Sequence, residues 1–380
     1  MTTHDWKATA EHYRSFMLDD VAPFWLRHSL DREFGGYLHH LDRDGSTYGT
    51  TKIMWLTGRE VWTFSRLCTQ VEPRAEWLDA ARLGAEFLRD FGRGENGEWY
   101  AELDRAGAPL DTSRGSFTDN YVLLGLAEYS LASGEAWARD LAVETFWRGV
   151  QRAGSGPPYS HGSAMCDVYF AGQLNAAAPD ERLAEMVRNG RRTILERHVS
   201  DEHRAVFERV WDDGPRLDQP AGRFLNTGHG VESMGFIIDS ALTDGETAGI
   251  DRATDALIWT LDRCWDGEYG GLYLFMDVNG RPNEFKEWSM KVWWTHTEAL
   301  DALLWAYRAT RRGDVLAWFE RVHEYVWGTF PDAEYGEWFG FFDRGGRRTH
   351  NLKGGRIKGC MHLTRALLNC WRNAEELARG

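Results

Sequence analysis

The stretch GGYLHHLDRDG, residues 35–45, returns three more times along this 380-residue chain with similar spacing of glycine, aromatic residue and Asp-x-x-Gly. Each copy ends in a turn-forming Asp-x-x-Gly, which predicts a short strand that begins a β-hairpin. A degraded fifth copy covers residues 205–213. The other full copies are GEWYAELDRAG at 97–107, GGLYLFMDVNG at 270–280 and GEWFGFFDRGG at 336–346. This recurrence indicates an internal repeat.

Segments with helical periodicity lie between the copies. A helix pair of roughly 55–65 residues, repeated about six times, predicts a closed ring with an inner and an outer layer of helices and with hairpins at one end. An open solenoid of helix pairs is the alternative. No Pro/Gly/Ser-rich linker divides the chain, so we expect a single domain over residues 1–380. The predicted helices cover residues 7–28, 52–70, 75–91, 116–132, 135–152, 163–175, 181–198, 228–243, 247–263, 289–311, 314–329 and 357–376.

The composition excludes several classes of protein. A formal net charge of −14 at pH 7 argues against nucleic acid or an anionic membrane as the partner. The five cysteines are widely spaced and form no CxxC motif, so neither a disulfide framework nor a zinc knuckle is indicated. The polar N-terminus, and the lack of an uncharged run of about 18 residues, predict a cytoplasmic protein without a membrane span. Some of the 19 Trp, 13 Tyr and 19 Phe side chains are expected to line a carbohydrate-like or flat ligand, and the others to pack between helices.

An imidazole and a carboxylate stand three residues apart in Asn226-Thr-Gly-His-Gly-Val-Glu232, at the predicted start of a helix. Residues i and i+3 are neighbours on a helix, so we expect Glu232 to orient His229 or to balance its charge. Asn226 or Thr227 is expected to cap the helix. The glycines leave room for a ligand to approach the backbone.

A second histidine of this kind lies near the C-terminus. Lys358, His362 and Arg365 are spaced i, i+4 and i+7, and therefore share one helical face. Two histidines on separate helices, each flanked by charge, can act as acid and base on opposite sides of one small molecule. His229 and His362 are therefore the predicted catalytic pair. Histidines without such companions are expected to be core residues, namely His161, His198, His323 and His350.

Further candidate binding residues lie at two predicted helix starts. One face of the helix over residues 52–70 carries Lys52, Trp55, Arg59 and Trp62. Cations beside aromatic faces fit an oxygen-rich ligand, whereas a surface helix with solvated cations is the alternative. Asp119 begins the helix over residues 116–132, where an acidic residue that stabilises the helix dipole is the simpler explanation.

The segment over residues 291–298 combines aromatic and ionisable side chains. Lys291, Trp294 and Glu298 share one helical face, and His296 lies beside them. These polar groups are costly to bury without partners, which indicates a site. Arg223 lies six residues before the first catalytic histidine and can reach the same pocket.

The absence of several sequence motifs disfavours other enzyme classes. No HExxH, GxSxG, P-loop or strand-linked GxGxxG motif is present, which argues against zinc and serine hydrolases, nucleoside triphosphatases and Rossmann dehydrogenases. A glycosidase with a helical barrel needs two carboxylates about 5–10 Å apart, for which Asp119, Glu232 and Glu298 are available. A non-catalytic binding protein built on the same ring would tolerate loss of both histidines.

Taken together, these motifs resemble the N-acylglucosamine 2-epimerase family, which includes cellobiose 2-epimerases and isomerases of mannose and sulfoquinovose. The resemblance covers nearly the whole chain, from Phe24-Trp25 and the first hairpin to residues 358–365. It implies an all-α (α/α)6 barrel with short β-hairpins at one end, and no metal. His296 is typical of the acylglucosamine branch, because the disaccharide epimerases usually have Gln there.

The resemblance also implies roles for individual residues. His229 and His362 are the implied acid/base pair, oriented or charge-balanced by Glu232 and Glu298. Arg59 and Arg223 are the implied holders of sugar oxygens. The complete set of predicted substrate-binding residues is Arg59, Arg223, Lys52, Trp55, Asp119, Trp294 and His296.

The chemistry of C2 epimerisation fits a pair of histidines. The C1 carbonyl of an open-chain aldose acidifies the C2 hydrogen, so a base with a pKa near neutrality can remove it if the enediolate is stabilised. Return of the proton to the opposite face inverts C2, and return to C1 gives a ketose. We therefore predict an epimerase that needs no cofactor or metal and that interconverts N-acyl-D-glucosamine and N-acyl-D-mannosamine. A homodimer is the assembly considered for it. The alternative is an epimerase or aldose–ketose isomerase of an unacylated monosaccharide such as mannose.

Nucleotide regulation is not expected. Residues 152–158 are rich in Gly and Pro where ATP-responsive members of the family have lysines. Phosphates favour clustered cations and exposed backbone amides, so we expect no activation by ATP.

Overall fold

The computed structural model describes residues 4–113, 116–152 and 156–380. Each of the twelve predicted helices is present, although the first is divided by a π-helical segment over Phe16–Val21. The helices are α1 Trp6–Ser15, α2 Ala22–His28, α3 Met54–Gln70, α4 Ala75–Phe91, α5 Ser116–Ser133, α6 Ala136–Arg152, α7 His161–Ala177, α8 Glu181–Thr193, α9 Pro220–Arg223, α10 Thr227–Asp244, α11 Ile250–Cys264, α12 Trp293–Thr310, α13 Gly313–Thr329 and α14 Met361–Arg379. Residues 153–155 of the Gly/Pro-rich segment, on which the nucleotide prediction partly rests, lie outside the described residues.

Six of these helices form the inner layer. They are α3, α5, α7, α10, α12 and α14, and each contacts the next around the ring. The ring closes because α14 contacts α3. Their outer partners are α4, α6, α8, α11, α13 and, for the last pair, α1 from the opposite end of the chain. The predicted (α/α)6 barrel is therefore confirmed, and the open solenoid is excluded.

The helices of the two layers differ in how much of their surface is buried. The outer helices α4, α8 and α11 have an apolar face and a polar face, as expected for helices that cover a core. The inner helices α3, α10 and α12 are buried on nearly every side. Their buried side chains include charged ones such as Glu60 and Glu298. An inner helix faces its two neighbours, its outer partner and the barrel axis, so it has no solvent face.

Short strands form a layer at one end of the ring, as predicted. They are β1 His40–Leu41, β2 Thr47–Gly49, β3 Lys52–Ile53, β4 Glu102–Leu103, β5 Pro109–Asp111, β6 Tyr159–Ser160, β7 Val199–Ser200, β8 Ala205–Val206, β9 Arg209–Val210, β10 Phe224–Asn226, β11 Phe275–Asp277, β12 Lys291–Val292 and β13 Phe341–Phe342. The first two repeat copies form the expected hairpins, β1 with β2 and β4 with β5.

The pairing of the other copies differs from a local hairpin. The strands β11 and β13 pair with β10 and β12, which directly precede the inner helices α10 and α12. The strands β4 and β9 likewise pair with β3 and β6, which precede α3 and α7. At the ring closure, the backbone N–H groups of Lys353 and Gly354 donate to the carbonyl of Leu41. The repeat copies therefore join neighbouring helix pairs, and all six inner helices begin at this end.

A buried ion cluster recurs at three of these junctions. In each, an aspartate accepts hydrogen bonds from a buried lysine just before an inner helix and from an arginine of a repeat turn. At the first junction, Lys52 Nζ lies 3.0 Å and Arg105 Nε 2.9 Å from Asp31 Oδ2. The other two clusters are Asp266 with Lys291 and Arg344, and Asp332 with Lys353 and Arg43. We call these three sets the Asp–Lys–Arg clusters.

The pair α3 and α5 shows the closest packing in the ring. A Cβ atom added at Gly58 would lie 2.2 Å from the Tyr121 carbonyl oxygen, and one at Gly125 would lie 2.4 Å from the Gly58 carbonyl oxygen. Only glycine allows backbones to approach so closely. This contact brings the α5 side chains toward the barrel axis. Within the described residues, the structure contains no helix long and apolar enough to cross a membrane.

Candidate active site

A cluster of ionisable and aromatic side chains fills the barrel axis near the start of the inner helices. Asn226 is the N-cap of α10, and its side-chain oxygen accepts a hydrogen bond from the backbone N–H of His229 at 3.3 Å. The helix cap thus fixes the first turn, on which this histidine lies. The side chain of His229 remains 29% exposed, which leaves it accessible to a ligand.

The partner of His229 is Glu208, not Glu232. The Nδ1 atom of His229 lies 3.0 Å from Glu208 Oε2. Glu232 instead accepts a hydrogen bond from Arg365 of α14. The i, i+3 spacing does place His229 and Glu232 near each other, but the Glu232 carboxylate pairs with a cation supplied by another helix. The prediction that Glu232 orients His229 is therefore wrong, whereas the charge of Glu232 still favours the protonated form of His229.

His362 has Glu298 as its partner, as the resemblance implied. The distance from His362 Nδ1 to Glu298 Oε1 is 2.7 Å, and the second Glu298 oxygen lies 2.7 Å from Arg365 Nη2. The guanidinium of Arg365 therefore lies between Glu298 and Glu232. All four side chains are buried, so their charges compensate each other at short range.

The environments of the two imidazoles shift their pKa values in opposite directions. Burial lowers the pKa of His362 well below its usual value, and the nearby Arg59 guanidinium lowers it further. Burial also opposes protonation of His229, but the carboxylate of Glu208 outweighs this and raises the pKa of His229. The structure therefore favours the neutral form of His362 and the protonated form of His229.

Trp294 lies beside both histidines. Its ring centroid is 5.6 Å from that of His362 and 6.2 Å from that of His229. A Cβ atom at Gly228 would lie 2.0 Å from this indole, so the glycine before His229 is required for the indole to occupy its place. Neither Nε2 atom of the two histidines hydrogen-bonds to any residue that the structure describes. Both nitrogens are thus available to a ligand.

Arg59 supplies a cation on the opposite wall. Its guanidinium lies 4.6 Å from the centroid of Trp55 and 4.0 Å from that of Tyr121, and it donates to the Tyr121 hydroxyl at 2.5 Å. The residue is only 5% exposed, and its Nε atom has no hydrogen-bond partner among the described residues. A buried unpaired N–H is costly, and a ligand oxygen would satisfy it.

Four predicted substrate-binding residues have other partners. Lys52 belongs to the first Asp–Lys–Arg cluster and lies 3.0 Å from Asp31. Arg223 Nε donates to Asp277 Oδ2 at 2.8 Å. His296 is fully buried between the carbonyl of Val292 and the backbone N–H of Leu272. Asp119 lies 3.6 Å from Arg152 of the outer helix α6.

These contacts give each of the four residues a structural partner, and their part in substrate binding stays a prediction. Each sequence pattern identified a polar side chain near the start of an inner helix, but such side chains also hold together the strand layer and the helix ends. Lys358 and Lys291 show the same effect, because each precedes its helix and pairs with a buried carboxylate, Glu337 and Asp266 respectively.

Sequence reasoning assigned no role to two residues of the cluster. Glu208 lies in the degraded fifth repeat copy, where no charge pattern distinguishes it. Tyr121 lies two residues after Asp119, and the sequence pattern there does not distinguish it. The position of Glu208 between the strands β8 and β9 in this copy is the available signal, because strands of the repeat lie at the barrel mouth.

The cluster contains one group suited to a cation. Ligand atoms of Glu232, Glu298 and His362 lie within 4.8 Å of one another. Carboxylate and imidazole are common metal ligands. Both carboxylates, however, already contact Arg365, so a metal ion would have to displace the guanidinium. The donor set therefore fits an internal ion network better than a metal centre.

Comparison with known proteins identifies the family. The family model described as N-acylglucosamine 2-epimerase (GlcNAc 2-epimerase) matches residues 36–153 and 174–366. N-acylglucosamine 2-epimerase of Mus musculus is 34% identical over 97% of this chain and 92% of its own length. The solved cellobiose 2-epimerase of Bacillus thermoamylovorans B4167 has a TM-score of 0.83 at 19% identity and covers 96% of this chain and 99% of its own. A solved D-mannose isomerase has a TM-score of 0.83 at 18% identity and covers 95% and 97%. The two structures show a shared fold, and the matches in sequence show that this chain belongs to the N-acylglucosamine 2-epimerase family.

Proposed function

We propose that this chain is a sugar 2-epimerase that interconverts N-acyl-D-glucosamine and N-acyl-D-mannosamine without a cofactor. The observation that carries the proposal is the pair His229 and His362, each held through Nδ1 by a carboxylate and each with Nε2 free of bonds to the described residues. The relatives that cover nearly the whole chain are named N-acylglucosamine 2-epimerases, which supports the N-acyl sugar as substrate.

In the proposed reaction, the open-chain sugar lies against Trp294 between the two imidazoles. The neutral Nε2 of His362 removes the C2 proton, and the electron pair forms a C1–C2 double bond while the carbonyl electrons move to O1, which gives an enolate that keeps the acylamino group on C2. The protonated Nε2 of His229 then donates its proton to the opposite face of C2. The C1 carbonyl re-forms as this new C–H bond is made, so C2 is inverted and the proton count of the two histidines is conserved.

Two features of the barrel would stabilise the negatively charged intermediate. The Arg59 guanidinium, with its unpaired Nε, is placed to bind the developing oxyanion. All six inner helices begin at the mouth end of the barrel, so the positive ends of their dipoles face the same region. Both features are in place before the sugar binds, which lowers the cost of reorganisation during proton transfer.

The choice of substrate rests on discrimination at the acyl group. A pocket that hydrogen-bonds an acetamido group rejects a sugar lacking it by several orders of magnitude, because the buried polar partners are left unpaired. Cellobiose is expected to be a poor substrate, since the strand layer and aromatic side chains leave little room for a second ring. Mannose is the alternative substrate.

The proposal is tested by incubating the protein in D2O with N-acetylglucosamine, N-acetylmannosamine, mannose and cellobiose, and following C2 and C1 protons by NMR. We expect exchange and epimerisation with the two N-acetyl sugars at the highest kcat/KM. Faster turnover of mannose would keep the two-histidine chemistry and change the substrate. Preference for cellobiose would contradict the assignment to the acylglucosamine branch. Exchange with none of the sugars would contradict the proposal that the protein is a sugar epimerase.

The remaining expectations also belong to this proposal. The five cysteines are free, in agreement with a reducing compartment such as the cytoplasm. A homodimer is the proposed assembly, to be measured by light scattering at several concentrations. No partner other than a small sugar is proposed.

A further inference from the structure

Behind His229, a second row of polar side chains lies outside the two-histidine pair. Glu208 Oε2 lies 3.0 Å from His229 Nδ1 and 3.7 Å from His161 Nδ1. The other Glu208 oxygen accepts a hydrogen bond from the backbone N–H of Gly162 at 3.3 Å. The Glu208 carbonyl accepts another from the backbone N–H of His161 at 2.9 Å. Glu208 is therefore fixed through both its side chain and its backbone.

His161 is in turn fixed from its far side. Its Nε2 atom lies 2.9 Å from the hydroxyl of Ser233, one turn along α10 from His229. Its ring lies 5.4 Å from that of His198, whose Nδ1 is bonded to the Phe207 carbonyl. His161 and His198 are buried, as expected for core histidines, but they also form the support for Glu208. The row thus runs from His229 through Glu208 to His161.

We propose that Glu208, fixed by His161 and Gly162, is a positioning residue that holds the N–H of His229 Nδ1 and so makes His229 the acid, and His362 the base, of the resting enzyme. This inference rests on the proposed epimerase function. It assigns different starting roles to two histidines that a symmetric two-base scheme would treat alike.

The charges around His229 support this assignment. Glu208 from the repeat loop and Glu232 from the same helix both favour its protonated form, and the ring centroid of His161 lies 6.3 Å from that of His229. His362 lies on the opposite side with Arg59 and Arg365, two cations that oppose its protonation. Burial would raise the pKa of Glu208, but His229 and His161 hold it below its usual range, so Glu208 is a carboxylate. A carboxylate only accepts, so the Nδ1 atom of His229 must carry the proton.

The direct test is a pH titration of His229 by NMR of protein labelled with ¹⁵N-histidine, its signals assigned with His229→Asn. In Glu208→Gln we expect the pKa of His229 to fall, and in Glu208→Asp to be partly restored. Glu320→Gln is the matched control, because it removes an exposed carboxylate that lies 3.1 Å from His4 Nδ1 on the outer layer. An unchanged His229 titration in Glu208→Gln would overturn the proposal, whether or not the protein turns over any sugar.

Kinetics provide a second readout. In Glu208→Gln, kcat is expected to fall by about 10²–10⁴-fold at neutral pH, with little change in KM. The basic limb of the kcat/KM profile should move to lower pH, because His229 loses its proton earlier. A purely structural role would lower the rate equally at every pH and would leave the profile in place, which would contradict a positioning role. Absence of turnover in the wild-type protein would count against the proposed function alone, since the NMR titration decides the role of Glu208 independently.

Discussion

His229 and His362 are each bonded to a carboxylate, yet they experience different charges. Glu208 favours protonation of His229, whereas Arg59 and Arg365 disfavour protonation of His362. A pair of imidazoles with opposite protonation states is what a one-proton exchange across C2 requires. Glu208 and Arg59 act from a loop and from another helix, whereas Arg365 acts from the same helix as His362.

Replacement of either histidine tests the acid/base pair. His229→Asn and His362→Asn are each expected to reduce kcat by about 10²–10⁴-fold, because asparagine keeps a polar side chain but cannot exchange a proton near neutral pH. His4→Asn on the outer layer is the control and should retain full activity. Near wild-type turnover of every candidate sugar in either of the two barrel variants would exclude the two-histidine mechanism.

The activity profile with pH follows from the same contacts. His362 must be neutral and its pKa is lowered, so the acidic limb of kcat/KM should lie below the usual histidine value of about 6.5. His229 must be protonated and its pKa is raised, so the basic limb should lie above that value. We expect a bell-shaped profile for the free enzyme, with its two limbs on opposite sides of the usual histidine value. A basic limb below that value would contradict these protonation states.

The side chains around His362 also predict that activity does not depend on a metal ion. Arg365 occupies the space between Glu232 and Glu298, the two carboxylates best placed to bind a cation beside His362. Activity is therefore expected to survive prolonged treatment with EDTA. Loss of turnover that is restored by a divalent ion would show that the guanidinium yields its place to a metal.

Among the helices, the contact between α3 and α5 is the most sensitive to side-chain size. Replacement of glycine by alanine inside a helix usually stabilises by roughly 0.5–1 kcal/mol. At Gly125 the new methyl group would lie 2.4 Å from the Gly58 carbonyl oxygen, and overpacking of this kind costs about 1–3 kcal/mol. Gly125→Ala should therefore lower the free energy of unfolding.

Gly149→Ala is the control for this helix contact. Gly149 lies within α6 and has no atom within 4 Å of an added Cβ, so only the helix preference acts there. We expect Tm to rise slightly or stay constant in Gly149→Ala and to fall in Gly125→Ala. Equal Tm values for the two variants would mean that α3 and α5 can separate without cost.

For the barrel as a whole, closure of the ring depends on contacts between residues far apart in the chain. Asp332, four residues before the last full repeat copy, lies 2.8 Å from Arg43 of the first copy and 3.0 Å from Lys353 before α14. Asp332→Asn would remove the carboxylate in direct contact with the buried Lys353 ammonium, and loss of one partner of a buried pair costs about 3–5 kcal/mol. Thermal or urea unfolding at neutral pH measures this loss of stability. Arg347→Ala is the control, because Arg347 is an exposed member of an ion pair and its replacement should not change the free energy of unfolding measurably.

The same cluster gives stability a defined pH dependence. Burial opposes ionisation of Asp332, but Arg43 and Lys353 hold its pKa below the value of about 3.9 expected in the unfolded chain. Such a group stabilises the fold above the unfolded pKa, and this contribution is lost as pH falls toward the folded pKa. The Tm difference between wild type and Asp332→Asn should therefore shrink below pH 4. A difference that stays constant with pH would exclude an ionic role.

Much of the architecture was predictable from the repeat. The four copies and the helical periodicity between them gave twelve helices, the closed ring and a strand layer at one end, because both patterns are local. Most strand pairings were not predictable. β11 pairs with β10 across nearly fifty residues, and the alternation within one copy does not specify which distant strand is its neighbour. The expectation of a single domain stays a prediction, which the contact of α1 with α14 supports.

The candidate site, like the fold, was only partly predictable from the sequence. The sequence by itself determined that His229, Glu298 and His362 lie near inner-helix starts, because glycine-rich and aromatic motifs mark those positions. Only the tertiary structure decided the partners of these residues, since Glu208 comes from a loop, and Glu298 and Arg365 meet where α12 and α14 pack. A buried charge pairs with the nearest opposite charge in space, and a closed barrel brings together helices that are far apart in the chain.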